Sequence, residues 1–311
     1  MSAPGHASAF APASVGNVAI GFDILGFAVG ALGDRVQVRR RAAAGVEIAA
    51  VRGVVAELSR EPRDNTAGRA LLALLEAVHP GFGLSIEIDK GIPLGSGLGG
   101  SAASAVAAVV AANALLERPC TPLELLKFAM AGEAVASGGR HVDNIAASLF
   151  GGLALTVGID QPRVKLIPVP AQIRAVIVHP HMFLATASAR AILKRSVELS
   201  DFVWQTANLA GFLSGCYTND LEMIRECFED VVIEPQRAAL IPGFQEVRRA
   251  ALAAGALGCS ISGAGPSMFA WAIAEHAPAV LAAMQAAFAA RELRCDGWCV
   301  ALDAPGARVL P

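Results

Sequence analysis

No run in this 311-residue chain is apolar for long enough to cross a bilayer. The longest, residues 102–116, has 15 positions and carries Ser104 and Asn113, against the roughly 20 that a spanning helix needs. Charge is sparse and balanced, 25 Lys and Arg against 27 Asp and Glu, for a net of −2. That supplies no field to draw in nucleic acid or an anionic membrane, so small partners are expected. The six cysteines (Cys120, Cys216, Cys227, Cys259, Cys295, Cys299) show no C-x-x-C spacing and read as small core residues, not as a zinc site or disulfide framework. His179 and His181 flank Pro180 at strand spacing, but a pair without further ligands reads as structural. The first residues show no basic stretch followed by an apolar core, so the cytoplasm is the expected compartment. The protein-kinase tripeptides H-R-D and D-F-G do not occur.

What is plentiful is apolar and glycine-rich sequence. Hydrophobic residues make up 54% of the chain, and its length exceeds what one core usually fills. Two domains are expected, 1–160 and 161–311. Pro93-Leu94-Gly95-Ser96-Gly97-Leu98-Gly99-Gly100-Ser101-Ala102-Ala103-Ser104 lies between an alternating strand, Leu84-Ser85-Ile86-Glu87-Ile88, and a helix over 102–116. Glycines at a helix N-terminus bring unpaired N–H groups and positive potential close to an anion, so this stretch reads as a phosphate loop. A Cβ at Gly97 is then expected to block phosphate approach while leaving the fold intact. Gly95, Gly97 and Gly100 satisfy G-x-G-x-x-G, but Arg118-Pro119-Cys120-Thr121-Pro122 opens another helix where a dinucleotide fold needs a second strand. The Walker-A pattern needs Lys before Ser/Thr, and Ser101 follows the last glycine directly.

Along the rest of the chain, residues 9–15 read as a strand, and 35–39 with 45–50 as a hairpin of alternating strands. Thr66 to Val78 reads as a helix after the polar turn Arg63-Asp64-Asn65, and Thr121-Pro122-Leu123-Glu124 as a capping box opening a helix to about Ala136. Glu133 on that helix has apolar neighbours, so its carboxylate lies either on a solvated face or buried beside a cation. By themselves, Asn17, Asp23, Asp143 and Asn144 read equally as caps and turns. Residues 158–170, with three prolines, read as a linker or hairpin between domains. Beyond it a strand over 174–179, a helix from Thr186 capped by Thr186 or Ser188, helices near 200–215, 219–229, 235–241 and 243–254, a glycine turn at 258–267 between two strands, a helix over 276–291 and a strand over 294–302 are expected.

The pattern Pro-x-Gly-x-Gly-Leu-Gly-x-Ser-Ala at 93–102 resembles the second motif of the GHMP small-molecule kinases. Pro12-Ala13-Ser14 with Asn17 and Gly21-Phe22-Asp23-Ile24-Leu25-Gly26 resembles the first motif, and Gly258 to Ser267 the third. The match is closest to the homoserine kinase form, which adds His141-Val142-Asp143-Asn144, Arg190 and the Glu234-Pro235-Gln236-Arg237 segment. The resemblance implies an α+β fold of two domains, like domain 2 of ribosomal protein S5 and then ferredoxin-like. It implies ATP on residues 93–103 (Pro93, Leu94, Gly95, Ser96, Gly97, Leu98, Gly99, Gly100, Ser101, Ala102, Ala103) with Asn65, Gly263 and Gly265 nearby, and Mg²⁺ on Ser101 and Glu133. L-homoserine would lie on Asn17, Asp23, His141, Asn144, Arg190 and Arg237, with Asp23 on its ammonium and the arginines on its carboxylate. Catalysis would fall to Asp143, Asn144, Glu133 and Ser101. Asp143 stands where mevalonate-type relatives place an acid, and its roles as base, supporting residue or helix cap stay open. One departure is Gly100-Ser101 where many relatives carry two serines, leaving Ser101 alone for phosphate or metal. A mevalonate or sugar kinase and a non-catalytic binding protein of the same fold are the rival readings. A homodimer is expected only from the commonness of two-fold assemblies.

Overall fold

The computed structural model describes residues 5–137, 142–158 and 160–311. In chain order these form β1 (His6–Gly16), β2 (Leu25–Arg41), β3 (Val46–Gly53), α1 (Thr66–Val78), β4 (Gly83–Lys90), α2 (Gly100–Asn113), α3 (Pro122–Ser137), α4 (Asp143–Phe150), β5 (Leu153–Val157) and β6 (Arg163–Ile167). The second half adds β7 (Ile173–Pro180), α5 (Thr186–Ala191), α6 (Leu199–Thr218), α7 (Leu221–Glu226), α8 (Glu234–Arg237), α9 (Phe244–Ala253), β8 (Ala256–Ile261), β9 (Met268–Ile273), α10 (Ala277–Ala289), β10 (Cys295–Ala301) and β11 (Arg308–Leu310).

Local signals set several of these starts. Asn65 caps α1 by accepting the N–H groups of Ala67 and Gly68 at 3.0 and 3.3 Å. The Thr121/Glu124 box closes in both directions, Thr121 N–H to Glu124 Oε2 at 2.7 Å and Glu124 N–H to Thr121 Oγ1 at 3.4 Å. For α5 the expected cap is absent: Ala185 holds that position and no side chain caps the helix.

The first sheet has seven strands in the order β11-β1-β2-β4-β3, with β5 on β2 and β6 on β5. The expected hairpin of β2 and β3 does not form. β4 inserts between them and pairs parallel to β3. α1 supplies the crossover that parallel neighbours require, and β4 gains a partner on each side while β3 forms the sheet edge. β6 and β11 lie beyond residue 160 yet belong to this sheet, so strand pairing crosses the 160/161 division. The 158–170 segment is the β5–β6 hairpin.

The second sheet is antiparallel with order β10-β7-β9-β8, which read along the chain is β-α-β-β-α-β in ferredoxin-like order. Its strands alternate between two cores. Ala175 and Ile177 of β7 face the main core, whereas Val176 and Val178 join Phe244, Val247 and Phe288 under α9 and α10. Phe27 of β2 meets Phe269 and Trp271 of β9 at centroid distances of 5.6 and 6.1 Å, fastening the sheets together. α2 is buried along residues 102–109, and its alanines let neighbouring backbones approach closely. Its N-terminus thereby faces the loops after β1 and β8, and no helix of the described residues is long and apolar enough to cross a membrane.

Candidate active site

One cavity, of about 380 Å³, collects most of the residues singled out above. Its floor is the glycine loop. Gly95, Gly97 and Gly99 have φ of 63°, 77° and 67°, the left-handed region that glycine enters without strain. Gly99 is the N-cap of α2 and brings no side-chain cap, so the first-turn N–H groups open toward the cavity lined by Gly97, Gly99, Gly100 and Ser101. An uncapped helix start facing a cavity of this size fits a polyphosphate.

The glycines themselves serve packing more than ligand access. A Cβ on Gly97 would lie 2.6 Å from the carbonyl oxygens of both Ser262 and Gly265, and one on Gly99 2.2 Å from Ser14 Oγ. The β8–β9 turn is also tied to the loop by Ser262 Oγ donating to Gly97 O at 2.7 Å and by Ser267 N–H donating to Ser96 O at 3.2 Å. A side chain at Gly97 would therefore wedge two domains apart, correcting the expectation of an intact fold. Leu98, Ala102 and Ala103 are fully buried and do not line the cavity; nor does Gly265, which backs Gly97. These four can act only through their backbone. Pro93, Leu94, Ser96, Asn65 and Gly263 do line it.

On one wall Ser101 Oγ donates to Glu133 Oε2 at 2.7 Å, and Thr66 Oγ1 donates to Ser101 O at 3.2 Å. Glu133 is buried, so its carboxylate is not on a solvated face. A hydroxyl and a carboxylate side by side, both hard oxygen donors, form a set that fits Mg²⁺.

Against Gly99 of the loop, Asp143 and Asn144 open α4. Neither caps it: Val142 is the N-cap, and no side chain serves the helix end. Asp143 Oδ2 accepts the N–H of Asn17 at 3.1 Å, and Asn144 Oδ1 accepts the hydroxyl of Ser14 at 2.9 Å. Fixing Asn144 through its carbonyl leaves its NH₂ as the donor end. The close approach of these side chains requires glycine at 16, where a Cβ would meet Asp143 Oδ2 at 2.4 Å. His141 lies outside the described residues.

Beside Gly263 the chain passes through Asn17, Val18 and Ala19 with φ of 69°, 46° and 59°, an unusual run for residues with a Cβ. The kink aims Asn17 Nδ2 at Gly263 O, 2.9 Å away, and sets Asn17 Oδ1 to accept Asp23 N–H at 3.1 Å. Asp23 pairs with Arg190 NH2 at 2.7 Å. Its side chain is 32% exposed, so Gly21, Phe22, Ile24 and Leu25 leave the carboxylate open to the cavity. Arg237 is buried, donating from Nε to Ala189 O at 3.1 Å and from NH1 to Gly263 O at 2.9 Å. Burial, then the charge of Arg190, pull its pKa down, and Asp23, Asp230 and Asp143 oppose this. Both guanidiniums lie over the Phe22 ring, Arg190 at 5.1 Å and Arg237 at 5.3 Å. An acid between two arginines makes an amphoteric end to the cavity, suited to a zwitterion.

Sequence reasoning missed Ser14, Phe22, Asp34, Lys90, Ser104 and Phe183. Lys90-Gly91 directly ahead of the loop was the one legible cue. His179 and His181 are structural, bonded to Ser267 Oγ at 3.0 Å and Asp296 Oδ2 at 2.9 Å, and no metal-binding cluster of His, Cys, Asp and Glu occurs among the described residues. All six cysteines are free thiols, with Cys216 and Cys259 buried and Cys299 exposed.

Comparison with known proteins identifies the family. The sequence profile of the GHMP kinases N terminal domain matches residues 65–152, and that of the GHMP kinases C terminal matches 212–290. Homoserine kinase of Xylella fastidiosa (strain 9a5c) is 50% identical over 306 residues, 98% of this chain and 94% of its own. The homoserine kinase of Chlorobium phaeovibrioides (strain DSM 265 / 1930) is 44% identical over 314 residues, 97% of this chain and 98% of its own. The crystal structure of homoserine kinase from Cytophaga hutchinsonii superposes with a TM-score of 0.95 at 42% identity, covering 100% of this chain and 99% of that one.

Proposed function

Because the chain belongs to the GHMP kinases, and within them to the homoserine kinases, we infer that the cavity described above is where it transfers a phosphoryl group from ATP to the side-chain hydroxyl of L-homoserine, giving O-phospho-L-homoserine in threonine biosynthesis. The observation that carries this location is the meeting, in one cavity, of an uncapped helix start with the Asp23, Arg190 and Arg237 cluster.

The first-turn N–H groups of α2 receive the phosphates and stabilise the charge on them. Ser101 and Glu133 would hold Mg²⁺, which would offset the negative charge of the phosphates. Asp23 turns from Arg190 to the substrate ammonium, while Arg190 and Arg237 take its carboxylate, so each half of the resting ion pair gains a replacement partner. Asn144 donates its NH₂ to the acceptor hydroxyl oxygen, being oriented by Ser14. Asp143 receives the hydroxyl proton; its Oδ2 accepts Asn17 N–H at 3.1 Å and its Oδ1 accepts Asn144 Nδ2 at 3.5 Å. A loose transition state asks for little prior deprotonation, so Asp143 serves first to orient the hydroxyl. Leu94 and Phe183, both exposed at the rim, supply apolar cover over Gly95.

The test is ADP release with homoserine, mevalonate and galactose as acceptors, on the parent and on Asp23→Asn. The parent should prefer homoserine, and the variant should lose that preference with ATP binding retained. Parental homoserine kinetics in Asp23→Asn would remove the amphoteric end from the acceptor site.

A further inference from the structure

Beneath the glycine loop lies a polar triangle. Lys90 ends β4, Asp34 lies on β2 one step beyond the Arg35–Asp89 pairing, and Ser104 is on the first turns of α2. Relative exposures are 0% for Asp34, 4% for Lys90 and 3% for Ser104. The Lys90 ammonium donates to Asp34 Oδ2, to Gly100 O at 2.7 Å and to Ser104 Oγ at 2.9 Å. Ser104 donates its own proton to Asp34 Oδ2 at 2.6 Å, and Asp34 Oδ1 accepts Gly91 N–H at 3.0 Å. The three donors of an ammonium are therefore all committed to protein acceptors.

We propose that Asp34, Lys90 and Ser104 are positioning residues for the nucleotide, setting the direction of the N–H groups that receive its phosphates. One peptide plane joins the triangle to the cavity. The C=O of Gly100 and the N–H of Ser101 belong to the same trans peptide and point in opposite directions. Lys90 draws the carbonyl inward, so the amide is held facing the other way, toward the cavity. Asp34 keeps the ammonium in place and offsets its charge, and through Gly91 N–H it ties the exit of β4 to the same point. Ser104 locks the triangle to the helix itself. A buried ion pair is a poor device for stability, because apolar side chains of equal volume usually do as well. Direction is what an apolar replacement could not supply.

The inference rests on the glycine loop as the nucleotide site, and the test separates the two. KM for ATP, KM for homoserine and the affinity for a non-hydrolysable ATP analogue are measured on Ser104→Ala and on the double variant Asp34→Leu/Lys90→Met, which leaves no unpaired charge. Ser101→Ala and Glu133→Gln serve as controls on the loop. Ser104→Ala should raise KM for ATP about 3- to 10-fold, and the double variant at least about tenfold, with KM for homoserine within about twofold of the parent. A folded double variant with parental ATP affinity overturns the proposal, as does an equal loss for both substrates. If the double variant does not fold, Ser104→Ala decides alone: an ATP-selective loss supports positioning, and parental kinetics overturn it. Unchanged ATP and Mg²⁺ dependence in the two controls would instead withdraw the loop as the nucleotide site, and the inference with it.

Discussion

Arg237→Lys is the substitution that most directly tests how the acceptor is held. The guanidinium has five N–H donors in a fixed fork. Two are spent on Ala189 O at 3.1 Å and Gly263 O at 2.9 Å, while the plane rests on the Phe22 ring 5.3 Å away, so the remaining donors face the cavity in a set orientation. Lysine keeps the charge and loses the fork: its ammonium cannot satisfy both buried carbonyls and still reach a ligand carboxylate. A hydrogen bond to a charged group contributes about 1.5–3 kcal/mol, so losing one from the carboxylate should raise KM for homoserine roughly 10- to 150-fold. The carbonyl of Gly263 also accepts Asn17 Nδ2 at 2.9 Å, so some loss of kcat through that shared contact should accompany it. ATP is proposed to bind at the glycine loop, so its KM should stay within about twofold. Steady-state kinetics in both substrates, with circular dichroism to establish the fold, decide the matter. A folded Arg237→Lys enzyme with parental homoserine kinetics would refute the carboxylate grip, and a matching rise in KM for ATP would refute the division of the cavity into two ends.

Three further outcomes are expected. Glu133→Gln should lower kcat at limiting Mg²⁺ by at least the roughly 10–100-fold seen when metal-supporting groups are removed, with partial recovery at high Mg²⁺; Mg²⁺ titrations check it. Gly97→Val should lower stability by at least about 2 kcal/mol as well as abolish ATP binding, because its side chain meets two backbone oxygens at a φ of 77°; chemical denaturation and calorimetry check both. Burial pushes the carboxyl of Glu234 up to about 7 from the ordinary 4.5, against the opposing pull of Ser260 and Arg248. The folded state therefore binds the extra proton, and stability worth about 3 kcal/mol is present below pH 4.5 and lost as pH rises through 7. Glu234→Gln should flatten that part of the melting-temperature profile.

The sequence alone determined whatever is set over a few neighbouring residues. The Asn65 cap, the Thr121/Glu124 box and the glycine run ahead of α2 are local chemistry; the first two start their helices where the letters place them, and α2 starts at Gly100, two residues ahead of the expected 102. The acceptor residues Asp23, Arg190 and Arg237 were legible only through resemblance to known kinases, since an isolated Arg or Asp carries no signal of its partner. Tertiary structure decided the rest. Strand alternation is the same whether β3 pairs with β2 or with β4, and only the α1 crossover, which lets β4 fill the place between them, selects the parallel partner. Gly97 reads as room for a ligand until the β8–β9 turn, more than 160 residues away, is seen to occupy that room. Asp34, Lys90 and Ser104 are separated by up to 70 positions, and in sequence each is an ordinary polar residue. Buried polar groups are tolerated at those three places because folding brings the carboxylate, the ammonium and the hydroxyl within hydrogen-bond distance, and that proximity has no representation along the chain.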